Sequence, residues 1–190
     1  MHFVVIVGSV RTARAGIRAG VFVERALAAR GHQVTLVDPV EYALPLLDRM
    51  YKEYPKGEAP DPLERLAAIY RAADGFVVVS GEYNHSIPPA LSNLLDHFLE
   101  EYFFRPSAIV SYSAGSFGGV RAAMQLRAML GELGMPSIPS TFPVPSIRKT
   151  LSEDGQANDA ALERRFGRFA SELEWYAEAL REARLKGTPY

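Results

Sequence analysis

The sequence predicts a single α/β domain in which a doubly wound parallel sheet carries helices on both faces. Three observations support this prediction. Short apolar runs such as Phe3–Val7 and Phe76–Val79 are continuous rather than alternating, as in strands buried on both sides. Segments with the apolar spacing of helices separate these runs, which favours right-handed crossovers between parallel strands. A length of 190 residues with 48% hydrophobic content suits one globular domain.

The first part of the chain predicts two strands with a helix between them. In order, these elements are the strand Phe3–Val7, the helix Ile17–Arg30 and the strand Gln33–Asp38. Gly31 follows the helix at the position where glycine favours a C-terminal cap, and Pro39 closes the second strand. The proline-rich connection Val40–Asp61 predicts no regular element.

The second part predicts helices alternating with strands. A helix begins at Asp61 as N-cap, because Pro62 suits the first helical position and Glu64 follows three residues later. The next elements are the strand Gly75–Ser80, the helix Leu91–Leu99, the strand Ser107–Ser113, the helix Val120–Leu133 and a last helix from about Asn158 to Arg184. Four prolines in Met135–Pro145 predict a short or irregular fifth strand. Five strands with the first near the centre give the order 2-1-3-4-5.

Composition excludes several classes of function. A net charge of −1 argues against a nucleic-acid binder, which would need a large basic face. The absence of cysteine excludes disulfides, thiolate metal sites and cysteine nucleophiles. No apolar run is long enough to span a bilayer, and Met1 leads directly into a strand without a signal-peptide pattern. We therefore expect a cytoplasmic globular protein of one domain over residues 1–190, with no membrane or nucleic-acid partner.

Three strand-to-helix loops carry the candidate site, because ligands of such sheets bind outside the carboxyl ends of strands. The first loop, Gly8–Gly16, offers hydroxyls, two guanidiniums at Arg11 and Arg14, and amides at a helix N-terminus, which together suit a phosphate. The residues leave an alternative open, in which Ser9 and Thr12 only cap the helix and the arginines are solvated.

The second loop, Gly81–Leu91, offers the aromatic face of Tyr83, the amide of Asn84 and backbone amides before Pro88. An ordinary turn is the alternative, and His85 has no neighbouring ligands that would make a metal site. In the third loop, Ser113–Gly119, glycines allow a ligand to approach the backbone, or else supply the positive φ that a connector needs. Together the loops predict a ligand with a phosphate tail and a planar polar head, for which FMN is the simplest candidate.

These motifs resemble the NAD(P)H-dependent FMN reductase family, which includes small quinone, azo-dye and chromate reductases. The resemblance covers about residues 3–145. It rests on Gly8-Ser9-Val10-Arg11 with Arg14 and Gly16, on Glu82-Tyr83-Asn84-His85-Ser86-Ile87-Pro88 with Leu91, Asn93 and Asp96, and on Ser113-Ala114-Gly115-Ser116-Phe117-Gly118-Gly119-Val120-Arg121. It implies a three-layer flavodoxin-like fold, tightly bound FMN, and a homodimer or homotetramer.

The resemblance also implies the residues that contact the cofactor. The phosphate would be held by Ser9, Arg11, Ala13, Arg14, Ala15, Gly16 and Ile17, and the isoalloxazine edges by Glu82, Tyr83, Asn84, His85, Ser86, Ser113, Ala114, Gly115, Ser116, Phe117, Gly118 and Gly119. Two positions depart from the pattern: many members have a small polar residue in place of Arg14 and proline in place of Gly81.

The implied activity passes hydride from NADPH or NADH through FMN to a quinone, a flavin or a similar small electron acceptor. The chemistry belongs to the flavin, so no catalytic side chain and no metal are expected. Tyr83 and Phe117 are candidate walls for the nicotinamide or acceptor, and Arg14 and Arg18 are candidate contacts to the 2′-phosphate of NADPH. Two alternatives stay open: a non-enzymatic flavoprotein that carries electrons or senses redox state, and a flavin-free enzyme acting on a phosphorylated small molecule.

Overall fold

The computed structural model describes residues 1–190 and contains one five-stranded parallel sheet. Its strands are β1 His2–Val7, β2 Gln33–Val37, β3 Gly75–Ser80, β4 Ser107–Tyr112 and β5 Ser137–Val144. They lie in the order β2-β1-β3-β4-β5, and each neighbouring pair is parallel. The predicted fold class and strand order are therefore confirmed.

Helices connect the strands and flank the sheet. They are α1 Gly16–Ala28, α2 Pro39–Tyr42, α3 Asp61–Ala72, α4 Pro89–Asp96, α5 Val120–Glu132, α6 Ile147–Thr150 and α7 Ala160–Leu185. Four predicted helices and the last one are present with small shifts of their ends, such as Pro60 rather than Asp61 as the N-cap of α3. The short helices α2 and α6 were not predicted. The expectation that Val40–Asp61 has no regular element was wrong, because α2 extends into this connection and a 3₁₀ helix lies at Tyr51–Glu53.

The start of α2 corrects the interpretation of the end of the second strand. The Asp38 carboxylate accepts a hydrogen bond from the Val40 amide at 3.0 Å, and Pro39 occupies the first helical turn. Asp followed by Pro is a helix-start signal, because the side chain satisfies a free amide and proline lacks one. Pro39 therefore begins a helix as well as ending β2.

Apolar layers on both faces of the sheet position the loops. One layer packs α3, α4 and α5 against residues such as Ile6 and Val78, and the other packs α1 and α7 against residues such as Val5 and Val110. All residues of β3 and β4 are buried, which explains their continuous apolar sequence. Burying a valine or isoleucine side chain contributes about 1.5–3 kcal/mol, so these strands fix the sheet. None of the helices combines the length and apolar character required to cross a bilayer.

The fifth strand is irregular rather than short. It has eight residues, and its register against β4 shifts between Ser107 and Ile109. Pro139 and Pro143 are tolerated because β5 is an edge strand, where one side of the backbone has no neighbouring strand. Of the two predicted alternatives, a short or an irregular strand, the irregular one is confirmed.

Candidate functional site

The three predicted loops meet at the carboxyl edge of the sheet, beyond β1, β3 and β4. The Ser9 Oγ of the first loop lies 3.3 Å from the Tyr83 Oη of the second. The Glu82 carboxylate accepts hydrogen bonds from the Arg121 and Ala122 amides, at 3.0 and 3.3 Å, where α5 leaves the third loop. Residues far apart in the sequence therefore form one contiguous surface.

The first loop presents unused backbone donors in front of α1. The Arg14 amide donates to the Arg11 carbonyl at 3.0 Å, whereas the amides of Arg11, Thr12 and Ala13 donate to no group of the chain. No side chain caps α1, so the alternative that Ser9 or Thr12 serves only as a cap is wrong. Free amides at a helix N-terminus attract anions, because the helix dipole places positive charge there.

The arginines around this loop have different surroundings. Arg14 forms a two-pronged ion pair with Asp38, and its Nη1 also donates to the Ser9 carbonyl at 3.0 Å. Arg18 donates to the Leu151 carbonyl at 3.0 Å and pairs with the Glu153 carboxylate at 3.1 Å. The Arg11 side chain is exposed, and its guanidinium forms neither a hydrogen bond nor an ion pair within the chain, so it is the guanidinium most available to a phosphate.

The second loop forms a tight turn whose tip faces outward. The Tyr83 amide donates to the Ser86 carbonyl at 3.0 Å, and the Ser86 amide donates back to the Tyr83 carbonyl at 2.9 Å. Between them, Asn84 and His85 have φ values of 52° and 63°, as the two central residues of a type I′ turn require. Their amides donate to no group of the chain, so the turn offers two donors to a ligand.

Polar side chains of the second loop hold it against α5. The Ser86 Oγ donates to the Gln125 Oε1 at 2.6 Å, and the Gln125 Nε2 donates to the His85 carbonyl at 2.9 Å. The Arg121 guanidinium lies 3.4 Å from a Glu82 oxygen. These contacts fix the turn relative to the third loop, and the sequence carried no local signal for Gln125.

The third loop is braced from within and open at its tip. The Ser113 Oγ donates to the Gly115 carbonyl at 2.8 Å and accepts from the Gly118 amide at 2.8 Å. Gly118 and Gly119 have φ values of 64° and 75°, so these two glycines supply the positive φ named as the alternative role for the glycines of this loop. The segment Ala114–Phe117, which includes Ser116, is exposed. Phe117 itself is 63% exposed, and the Arg121 guanidinium lies over its ring, 4.6 Å from the ring centre.

Tyr112, at the end of β4, is a site residue that the sequence analysis missed. Its hydroxyl faces the backbone of Gly16, where an added Cβ would lie 2.3 Å from it, and of Gly81, where the distance would be 3.0 Å. Burial raises the pKa of this phenol to about 12, so it keeps its proton near neutral pH. The sequence did offer a signal for Tyr112, because an aromatic residue stands there at the end of a predicted strand, directly before the third loop.

The donor set fits a phosphorylated planar ligand. Arg11 and the free amides of the first loop suit the phosphate, while the outward amides of Asn84 and His85 suit the acceptor atoms of a heteroaromatic ring. A Cβ added at Gly115 would meet nothing within 4 Å, so the third loop leaves open space above the sheet edge. FMN combines these two features, and the residues present fit it.

Solved structures show the same fold. The flavoenzyme NAD(P)H:acceptor oxidoreductase FerB from Paracoccus denitrificans superimposes with a TM-score of 0.72 at 19% identity. The superposition covers 95% of this chain and 97% of that one. A flavodoxin from Pseudomonas aeruginosa superimposes with a TM-score of 0.56 at 17% identity over 95% of this chain and 99% of that one. These two similarities establish the flavodoxin-like architecture alone.

Sequence comparisons extend the similarity beyond fold. An NAD(P)H-dependent FMN reductase of Schizosaccharomyces pombe is 36% identical over 110 residues, so that the chain spans about half the length of this relative, 54% of each. A quinone reductase of Pseudomonas putida is 33% identical over 132 residues, which are 64% of this chain and 71% of the relative. The family model described as NADPH-dependent FMN reductase matches residues 1–149, which include all three loops. The chain therefore belongs to the NADPH-dependent FMN reductase family.

Proposed function

We propose that this protein is an FMN-dependent oxidoreductase that passes hydride from NADPH or NADH to a small electron acceptor such as a quinone or a free flavin. One observation carries the proposal: the three loops that match the family lie side by side and present unused backbone donors at one sheet edge. Bound FMN supplies the redox chemistry, and the protein supplies binding, orientation and electrostatics.

The first loop holds the phosphate in this proposal. Arg11 contributes a charge-assisted contact, and the amides from Arg11 to Ala13 with those of Ala15, Gly16 and Ile17 contribute directed donors. Ser9 is buried and touches Tyr83, so it links the phosphate end to the ring end. The loop that carries these groups is anchored by β1 at one end and by α1 at the other, which lowers the cost of ordering it around a ligand.

The second and third loops orient the ring. The amides of Asn84 and His85, which have no acceptor in the chain, would hold one edge of the ring, and the amides of the third loop would hold the other. Backbone donors stabilise negative charge that develops on the ring, because they are already oriented when the charge forms. Phe117 is exposed, and in this proposal it would contact the nicotinamide or the acceptor as a wall.

Steady-state turnover tests this function. The purified full chain with FMN is expected to oxidise NADPH or NADH continuously when benzoquinone is present, and to do so slowly without it. Anaerobic bleaching of the bound chromophore by each nucleotide compares their efficiency. A protein that binds FMN but is not reduced by either nucleotide would be the electron carrier instead, and a protein that binds no FMN would refute both functions.

The oligomeric state and the cellular location of the protein are also matters of inference. We infer a homodimer or homotetramer, supported by an exposed apolar groove of about 320 Å³ between the first loop and α4, lined by residues such as Val10, Leu46 and Ala90. Leu46 is 85% exposed there. A sedimentation-velocity experiment that finds only monomer at micromolar concentration would contradict it. The cytoplasmic location stays a prediction.

A further inference from the structure

A buried ion pair lies at the root of the first loop. The Arg14 and Asp38 side chains are only 16% and 9% exposed, and both guanidinium Nη atoms donate to the two carboxylate oxygens. Arg14 therefore connects the loop after β1 with the end of β2. A paired arrangement of this kind is geometrically specific, because the planar guanidinium matches the plane of the carboxylate.

The backbone fixes the Asp38 end of this pair. One carboxylate oxygen also accepts from the Val40 amide at 3.0 Å and so caps α2. Since Asp38 directly follows β2, the sheet holds its main chain. The Asp38 carboxylate is therefore fixed independently of Arg14, and it holds the Arg14 guanidinium in position.

Arg14, the other member of the pair, contacts a peptide group at the start of the first loop. The Arg14 Nη1 donates to the Ser9 carbonyl at 3.0 Å, directly before the run of free amides. A peptide group is planar, so fixing the Ser9 carbonyl also fixes the direction of the Val10 amide. The pair thus determines how the start of the loop faces a ligand.

We propose that Asp38 is a positioning residue for phosphate binding, and that it acts by holding Arg14 against the Ser9 carbonyl. The inference rests on the proposed FMN function. It assigns Arg14 a bracing role in place of the direct phosphate contact that the family resemblance implies, and it leaves Arg11 as the guanidinium that touches the phosphate.

The two roles for Arg14 predict opposite effects of removing Asp38. If Asp38 positions the loop, Asp38→Ala releases Arg14 and disorders the Ser9 peptide, so FMN binds more weakly. If Arg14 binds the phosphate directly, Asp38→Ala removes a competing carboxylate and frees the guanidinium, so FMN binds as tightly as before or more tightly. Riboflavin, which lacks the phosphate, separates an effect on this loop from an effect on the whole site.

The experiment titrates the full chain with FMN and with riboflavin and follows flavin fluorescence. We expect Asp38→Ala and Arg14→Ala each to weaken FMN binding about tenfold or more, as for loss of a charge-assisted contact, and to change riboflavin binding less than about twofold. The double variant should be no weaker than either single variant, because both remove the same brace. Arg14→Lys should not restore binding, since an ammonium lacks the planar fork.

Control variants keep the proposal falsifiable. Arg30→Ala removes an ion pair with Glu174, a residue of α7 outside the loops, and should leave FMN binding unchanged. Asp38→Asn keeps an acceptor for the Val40 amide, so it should fold even if Asp38→Ala does not, and it should still weaken FMN. Unchanged or tighter FMN binding in the Asp38 variants would overturn the proposal, as would equal losses for FMN and riboflavin. Failure of the unmodified chain to bind FMN would refute the proposed function instead.

Discussion

Replacing Gly16 by alanine tests the packing of Gly16, at the start of α1, against the Tyr112 side chain. A Cβ at this position would lie 2.3 Å from the Tyr112 Oη and 2.6 Å from its Cζ, well inside van der Waals contact. Tyr112 is buried, and its ring also lies against Gly81, so it has little room to retreat. Gly16→Ala must therefore displace either the phenol or the first turn of α1.

The expected cost follows from this overlap. Adding a methyl group to a packed interior costs about 1–3 kcal/mol. For a domain of this size, 1 kcal/mol shifts the Tm by roughly 2–4 °C, so a loss of about 2–12 °C is expected. FMN binding should weaken as well, since the displaced turn carries the Gly16 and Ile17 amides.

Thermal unfolding of the cofactor-free chain measures the cost, and a double-mutant cycle assigns its cause. Tyr112→Leu shortens the side chain, so Gly16→Ala should cost less in that background than in the unmodified one. Gly131→Ala is the matched control, because a Cβ there, inside α5, meets nothing within 4 Å and alanine favours helix. Full additivity in the cycle, or an unchanged Tm for Gly16→Ala, would refute the packing described for Tyr112.

Three other predictions concern the phosphate contact, the second loop and the pH dependence of folding. Arg11→Ala should weaken FMN binding by roughly 10- to 150-fold while sparing riboflavin, in a fluorescence titration, because one charge-assisted contact is worth about 1.5–3 kcal/mol. Glu82→Ala removes the acceptor for two amides of α5 and should lower stability by about 0.5–2 kcal/mol in urea unfolding, whereas Glu82→Gln should lower it less. Hydrogen bonding to Arg30 lowers the pKa of Glu174, so its stabilisation is present above the unfolded value of about 4.3 and is lost as pH falls through the folded pKa. Urea midpoints between about pH 5 and 3 should therefore fall less steeply in Glu174→Gln than in the unmodified chain.

The sheet could be predicted because its signals are local. Phe3–Val7 and Phe76–Val79 are continuous apolar runs, and each residue of these runs is buried in the structure. Parallel strands joined by right-handed crossovers allow few arrangements, so the order followed once the first strand was taken to lie near the centre. The loops could be predicted on the same basis, since each lies where a recognised strand ends.

Pairings between distant residues could not be predicted in this way. Arg14 meets Asp38 across 24 positions, and Glu82 meets the α5 amides across 39 and 40. Such contacts depend on how the loops pack once the sheet has formed, and the residue types alone allow several partners. The sequence left open whether β5 is short or irregular for a related reason, because prolines are tolerated in a strand mainly at a sheet edge, and the position of β5 in the sheet depends on the whole fold.

The polar side chains of the second and third loops mainly maintain the loops and leave backbone amides to bind FMN. Glu82 and Ser86 use their polar atoms on α5, and Ser113 uses its hydroxyl within its own loop. The groups left for a ligand are mainly backbone amides, and their directions depend on the turns that these side chains maintain. Substitutions at the three side chains should therefore alter FMN affinity through loop geometry. A conservative change that preserves the turn should preserve binding, even though it replaces a residue at the edge of the ligand.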